Sequence, residues 1–359
     1  MRLSVRGLHE GVAPAPVFAP GDSAAAARQL IDWLLQCVPI QSLRAVGHRV
    51  VHGLDAFEPQ RIDAALTDKL RKMVPFDPDH LPLELRLIEA IEHSAPHLPQ
   101  VACFDTAFHR NLPRVAQILP IPRRYFEQGV RRYGFHGLSY QYLVEELKRI
   151  GDPAAANGRV ILAHLGGGAS VAAVLNGRSI DTSMAFTPAS GLVMGSRSGD
   201  LDPGIHAFLA HTEQMSIDGF QSMVNRESGL LGISGTSSDI RELIALEARD
   251  ARAADALAVF CHQTKKWIAA MAAALGGLDL LVFTGGIGEN APLIRERICS
   301  GLGFLGVDVH HSRNAGGEPI ISSDLADVRV RVIASDEELM IANSTLLTLG
   351  LNSPERSLE

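Results

Sequence analysis

The sequence predicts an α/β protein of two domains, and three observations predict it. Short apolar, β-prone runs alternate with segments of helical periodicity through the second half of the chain. The 359 residues amount to more than two domains of about 150 residues each. Hydrophobic residues make up 46% and charged residues 20%, which supplies an ample core and excludes disordered, collagen-like and coiled-coil classes.

Residues 1 to 21 carry Pro and Gly with weak periodicity, and Asp22-Ser23 is placed to cap a helix from Ala24 to Leu35. Arg44 to Val51 reads as a strand ending at His52-Gly53. Two helical patterns, Ile62 to Met73 and Leu83 to His93, flank the turn Pro75 to His80. Val101 to Thr106 is a short strand, and Ser139 to Arg149 a helix. Arg159 to Leu165 and Ala169 to Leu175 are strands joined by Gly166-Gly167-Gly168, and Asn176-Gly177 signals a hairpin into Ser179 to Ser183. The charged run Arg241 to Arg252 reads as a solvated helix face. Ala253 to Leu275 is the longest helical pattern, stopped by Gly276-Gly277. Leu278 to Thr284 is a strand, Gly285 to Asn290 a loop, and Pro292 opens a helix. Val328 to Ile333 is a strand, and Leu339 to Leu347 the last helix.

With 33 basic and 40 acidic residues the net charge is −7, so neither nucleic acid nor anionic membrane is expected as a partner. Cys37, Cys103, Cys261 and Cys299 lie far apart with no Cys-x-x-Cys, as in a reduced cytoplasmic protein. The first seven residues hold no apolar run suited to a signal peptide. The longest apolar stretch, Trp267 to Leu278, is too short to span a bilayer.

Three segments could carry chemistry. His164-Leu-Gly-Gly-Gly-Ala-Ser170 joins two strands through glycines whose N–H groups can surround an anion, although a plain tight hairpin reads the same way. Thr284-Gly-Gly-Ile-Gly-Glu-Asn290, between a strand and a helix, suits phosphate or ribose but is neither the dinucleotide fingerprint nor a P-loop. Met194 to Pro203 sets Arg197 among small residues, where a guanidinium can fork onto a carboxylate or phosphoryl group; an ion pair with Asp200 or Asp202 is the plainer alternative. His48 and His52 are four apart, but on a strand that spacing does not converge them on a metal.

Taken together, these segments resemble the acetate/propionate kinase family from about Ala45 onward. The motifs that carry the resemblance are Gly47-His-Arg-Val-Val-His-Gly53, Phe104-Asp-Thr-Ala-Phe-His109, Tyr133-Gly-Phe-His-Gly137, His164-Leu-Gly and Asp181-Thr-Ser-Met184. Phe186-Thr-Pro188, Gly195-Ser-Arg-Ser-Gly-Asp200, Ser228 to Ser234, Ser238-Asp-Ile-Arg241, Phe283 to Asn290 and Glu337-Glu-Leu-Met-Ile-Ala342 continue it in order.

The resemblance implies the duplicated α/β fold of sugar kinases, Hsp70 and actin, with two domains closing over ATP and Mg²⁺, and a homodimer. It implies reversible transfer of the ATP γ-phosphate to a short-chain carboxylate, giving an acyl phosphate and ADP. Residues 1–104 with 339–359 would form the carboxylate-side domain with the dimer contacts, and 105–338 the ATP-binding domain. By matching motif, Asp105, His136 and Arg197 are the expected catalytic residues. Arg49, Val51, His80, Phe135 and Pro188 would bind the carboxylate. His164, Leu165, Gly166, Gly167 and Gly168 would cradle ATP phosphates. Asp239, Ile240 and Arg241, with Gly286, Ile287, Gly288, Glu289 and Asn290, would contact the rest of the nucleotide, and Glu337 would help hold Mg²⁺.

Several positions depart from the family pattern. Nothing resembles the family's opening Asn-x-Gly-Ser-Ser-Ser-x-Lys hairpin, so the first domain is expected to lack its first strands. A truncated, catalytically weak or inactive nucleotide-binding homodimer is therefore the alternative expectation. Gly167 and Leu81 stand where asparagines are usual, Asp79 where an apolar pocket residue is usual, and Leu138 and Tyr140 replace Thr and His.

Overall fold

A computed structural model of the chain describes residues 23–38 and 42–351. The cap residue Asp22 and the segment preceding it lie outside the described residues. The chain divides into two compact units, Met1–Ala107 with Glu337–Glu359, and Phe108–Asp336. Asp105 and Glu337, which the boundary 105–338 assigns to the second domain, thus group with the first unit.

The first unit is built on a three-stranded sheet of β1 (Val46–Val50), β2 (Gln60–Arg61) and β3 (Gln100–Phe104), in the order β1-β3-β2. β1 runs parallel to β3 with Arg49 opposite Cys103 and Val50 opposite Phe104. All five residues of β3 are buried, as suits a central strand covered on both faces. The crossover from β1 to β3 carries helices Ala64–Met73 and Leu81–Ser94, whose Leu66, Leu70, Met73, Leu85 and Ile88 pack with Val50, Ala102 and Phe104. Asp63 caps the first of these, its carboxylate accepting the Leu66 N–H at 2.8 Å. Helix Glu337–Thr348 covers β1 and β3. A β-carbon on Gly47 would collide with Ile341 and Thr345, so glycine is what lets that helix lie against β1.

The second unit holds a five-stranded sheet of β4 (Arg159–Leu165), β5 (Ala169–Leu175), β6 (Arg178–Thr182), β7 (Leu280–Thr284) and β8 (Arg329–Val332), in the order β6-β5-β4-β7-β8. β4, β5 and β6 are antiparallel neighbours, whereas β4, β7 and β8 run parallel. Asn176 and Gly177 both take positive φ, 53° and 72°, so the expected Asn-Gly hairpin forms between β5 and β6. Helix Gly137–Arg149 buries Tyr140, Leu143, Val144 and Leu147 against Val160, Leu162, Ala172, Val174, Leu280 and Val282. The 25-residue helix Ala251–Leu275 packs on β4, β5 and β6, and Gly276 ends it at φ 71°.

Two expectations need correction. The segment Gly285–Asn290 is a helix rather than a loop. The Glu289 side chain accounts for this, since its Oε1 accepts the Gly285 N–H at 2.9 Å and caps the turn from inside. The charged run 241–252 is two helix ends rather than one face. Asp239 caps Ile240–Leu246 and Asp250 caps Ala251–Leu275, each accepting the N–H two residues on. No helix among the described residues is long and apolar enough to cross a membrane.

Candidate active site

In each unit the candidate residues gather where parallel strands end at their carboxyl side, the edge at which α/β sheets receive ligands. In the first unit Arg49 lies near the end of β1, and Asp105 follows β3 directly, its N–H bonded to Val50 O at 2.9 Å. Register therefore delivers the two side chains to the same edge. Arg49 Nη2 donates to Asp105 Oδ2 at 2.6 Å, and Arg49 Nε stands 3.6 Å from Glu337 Oε2. Asp105 is fully buried, while the Arg49 side chain keeps 37% exposure. The buried Arg49 Nε makes no hydrogen bond. The Asp105 charge raises the Arg49 pKa further above its ordinary value. Burial, followed by the Asp105 charge, pushes the Glu337 carboxyl above the usual carboxylate range.

Two carboxylates crowded about one guanidinium leave net negative charge, which a divalent cation would relieve. Hard oxygen donors of this kind suit Mg²⁺, which keeps waters and substrate phosphates for its remaining positions. Among the described residues no group of three or more His, Cys, Asp or Glu side chains is placed to hold a metal ion. Asp105 and Glu337 would offer two carboxylates to a cation whose other positions were filled by water and phosphate oxygens.

The remaining first-unit residues line up around the same strand end. Val51 is buried, and its N–H donates to both oxygens of Glu84, at 3.1 and 3.3 Å. Burial pushes Glu84 up to about 7. His80 Nδ1 lies 2.7 Å from Asp77 Oδ1, while Asp77 Oδ2 is buried without a hydrogen-bond partner. Leu81 is fully buried, whereas Asp79 is exposed. His48 pairs with Gln100 at 2.7 Å, and His52 Nδ1 accepts the Leu54 N–H at 3.1 Å, so both are engaged inside the unit.

In the second unit the β4–β5 turn is the centre. His164 on β4 is opposite Ser170 on β5 and Thr284 on β7. His136 caps the helix Gly137–Arg149 in the left-handed region at φ 59°, a conformation uncommon for residues other than glycine. Its ring stacks on His164 with centroids 4.3 Å apart, and its Nδ1 lies 2.8 Å from Ser170 Oγ. His164 Nδ1 is in turn 2.8 Å from Ser139 Oγ. The buried His109 holds the preceding turn, with Nδ1 2.8 Å from Ser179 Oγ and Nε2 3.1 Å from Phe135 O. Phe135 itself is buried at 1% exposure.

A β-carbon built on Gly168 would sit 3.3 Å from His136 Nε2 and 3.6 Å from Arg197 Nη1. Two cationic or donor groups therefore face one glycine whose missing side chain leaves room for an anion. Arg197 Nη1 also donates to Pro188 O at 2.9 Å, which joins another expected residue to the cluster. Asp200 and Asp202, the plainer expected partners of Arg197, are engaged elsewhere, accepting Gly191 N–H at 2.8 Å and Gly204 N–H at 2.7 Å. Within the turn, Gly166 N–H bonds Gly168 O and Gly195 N–H bonds Gly167 O. Gly167 is exposed and a β-carbon there would meet nothing within 4 Å.

The other expected nucleotide residues are placed less simply. Gly285 takes φ 77° beside Leu165 O, which brings the start of helix Gly285–Asn290 against the end of β4, with Leu165 buried between. Gly286 and Asn290 are exposed, and Ile287 is half-buried. Glu289 is drawn inward, its Oε1 accepting the N–H groups of Gly285 and Ser335, so it serves this turn's geometry. Gly288 O receives Arg295 Nη1 at 2.8 Å. Arg241 is exposed and forks onto Asp239, which lowers the Asp239 pKa to about 2; Ile240 is buried.

The sequence alone assigns no role to Glu84 or Arg295, nor to His109, Ser170 and Tyr140, which lie in or beside its motifs. Arg295 is 1% exposed and donates to Gly288 O, Glu289 O, Asn314 O and Asn314 Oδ1. In sequence it stands in an ordinary amphipathic helix. Its one signal is position: it lies one turn after Pro292, on the helix that follows the glycine segment.

Known proteins resemble this chain along most of its length. The profile of the Acetokinase family matches residues 12–343, reaching further toward the N-terminus than the motifs that begin near Ala45. Acetate kinase of Rhodopseudomonas palustris is 47% identical over 316 residues, which cover 87% of this chain and 79% of that protein. Acetate kinase of Methylocella silvestris is 43% identical over 327 residues, covering 91% and 80%. A propionate kinase from Francisella tularensis superposes with a TM-score of 0.86 at 39% identity, covering 93% of this chain and 86% of that one. The structure of Porphyromonas gingivalis acetate kinase gives 0.83 at 38% identity, covering 92% and 85%.

Proposed function

The chain belongs to the acetokinase family, and from that premise we propose that it moves the γ-phosphate of ATP onto acetate, propionate or a similar short-chain carboxylate, reversibly, with Mg²⁺. The observation that carries this reading is the convergence of His136 and Arg197 on Gly168, a donor pair facing open backbone. A carboxylate with pKa of about 4 to 5 is already ionised at neutral pH, so no base is needed to generate the nucleophile. Its oxygen bonds to phosphorus as the bond to the β–γ bridging oxygen breaks, and the electron pair leaves on ADP. What the protein must supply is position and charge neutralisation.

In the first unit, Arg49 would bind the carboxylate with Val51 and His80 beside it, and Asp105 and Glu337 would hold Mg²⁺, which would neutralise phosphate charge. In the second, Arg197 and His136 stabilise the charge on the moving phosphoryl group, and Phe135 and Pro188 are read as acyl-pocket walls. The turn His164 to Gly168 holds ATP phosphates, and Asp239 to Arg241 with Gly286 to Asn290 contact the nucleoside. Asp79 is exposed and Leu81 buried, and the acyl preference is read from the acid series below. Four unpaired cysteines suit a reducing cytoplasm, and the family likeness supports a homodimer.

ATP-dependent acyl hydroxamate formation, assayed with acetate, propionate and butyrate, tests the reading. At least one acid should turn over, and His136→Ala and Arg197→Ala should each lower kcat by about 10² or more, as loss of one electrostatic donor does. Wild-type kcat in both variants would overturn the assignment of the phosphoryl site.

A further inference from the structure

Tyr140 lies in the first turns of the helix that His136 caps, and it is fully buried. Its hydroxyl is 2.5 Å from Ser170 Oγ, and Ser170 Oγ is 2.8 Å from His136 Nδ1. The three groups form an unbroken chain ending on the imidazole whose other nitrogen faces Gly168 and Arg197.

A serine hydroxyl has one proton and two lone pairs, so when that proton is spent within this chain it bridges in one of two senses. If Tyr140 donates to Ser170, the serine proton points at His136 Nδ1. That nitrogen is then the acceptor, and Nε2 carries the N–H. In the opposite sense Nδ1–H donates to serine, serine donates to tyrosine, and Nε2 presents a bare lone pair. A phenol with a pKa of about 10 is the stronger donor, and a chain of hydrogen bonds polarises in one direction. Both considerations select the first sense.

We propose that Tyr140, acting through Ser170, is a positioning residue that keeps the His136 N–H on Nε2, so that the ring offers a hydrogen-bond donor to the transferring phosphoryl group. This rests on the reading of His136 as a phosphoryl-facing group. Stacking on His164 and the left-handed backbone already fix where the ring lies, and the relay fixes which nitrogen holds its proton. No proton moves in the step: the imidazole keeps its N–H while the carboxylate–phosphorus bond forms and the bond to ADP breaks.

Tyr140→Phe removes one oxygen and keeps the ring against Phe108 and His109. It should lower kcat by about tenfold or more while leaving both KM values within about twofold, the pattern of an interaction used in the transition state. Ser170→Ala should do the same, and the double variant should be no worse than Ser170→Ala alone, because both break one chain. ¹⁵N NMR of histidine-labelled protein supplies the readout that a merely structural role would not move. The His136 signals, identified by their loss in His136→Gln, should show Nε2–H in the wild type and a shift toward Nδ1–H in Tyr140→Phe. If His136→Gln loses about 10²-fold in kcat while Tyr140→Phe keeps both wild-type kcat and the Nε2–H signal, the relay is overturned and the function stands. If His136→Gln retains wild-type kcat, the phosphoryl-facing role is overturned and the relay with it, whatever tautomer the spectrum reports.

Discussion

Arg49 shows how much one side chain's setting decides. It sits between Asp105 and Glu337, and its Nε makes no hydrogen bond. Arg49→Ala should reduce kcat/KM by about 10² or more, and Arg49→Lys should restore little, since an ammonium cannot reproduce the planar fork. Near wild-type kcat/KM in the lysine variant, measured in the hydroxamate assay, would contradict that role. Glu84 makes a pH-dependent prediction. Its carboxyl is raised from 4.5 to about 7, chiefly by burial, so the folded state binds the extra proton between those values. The stability this contributes is fully present below the unfolded pKa and is lost as pH rises through about 7. Glu84→Gln keeps an acceptor for Val51 N–H but does not titrate. Thermal melts should therefore place the variant level with wild type near pH 5 and above it near pH 8; equal offsets at both would refute the shift. Arg49, Asp105, His136, Arg197 and Glu337 were legible because they sit in motifs read directly along the chain. Glu84, Ser170 and Tyr140 were not, because their partners arrive through register and helix packing, which no local spacing records.

The helix Gly285–Asn290 marks the limit of local reading at the scale of elements. Four of its six residues, Gly285, Gly286, Gly288 and Asn290, favour a loop, yet Glu289 caps it from within and Arg295 binds the carbonyls of Gly288 and Glu289. Both contacts use charged side chains that a composition-based reading assigns to solvent or ligand. Gly285 is at φ 77°, and a β-carbon there would approach Leu165 O to 2.7 Å. Gly285→Ala should therefore cost about 2 kcal/mol or more, the left-handed penalty plus a collision. Gly286→Ala, with nothing within 4 Å, should leave stability almost unchanged. Paired melts of the two variants check this, and equal losses would show that the backbone conformation is not the cause. By contrast the Asn-Gly hairpin and the long helix ended by Gly276 were legible, since each is specified by residues within one turn of its boundary, whereas the helix read from Ile62 starts only at Ala64, after the cap Asp63.

For the whole molecule, alternation of strands and helices was enough to give an α/β chain, and the order of motifs gave the family. Alternation alone could not give the strand order β6-β5-β4-β7-β8, because β4 to β6 are joined locally whereas β4 and β7 meet across more than a hundred residues. On the proposed function, this chain joins a carboxylate to the γ-phosphate of ATP. ³¹P NMR of one reaction mixture tests it most directly, with Mg-ATP present and acetate or propionate either added or withheld. An acyl phosphate resonance should grow in step with ADP, at about 1–100 turnovers per second, only when the acid is present. ATP consumed to inorganic phosphate at the same rate with and without acid, or ATP left intact with every acid, would contradict it.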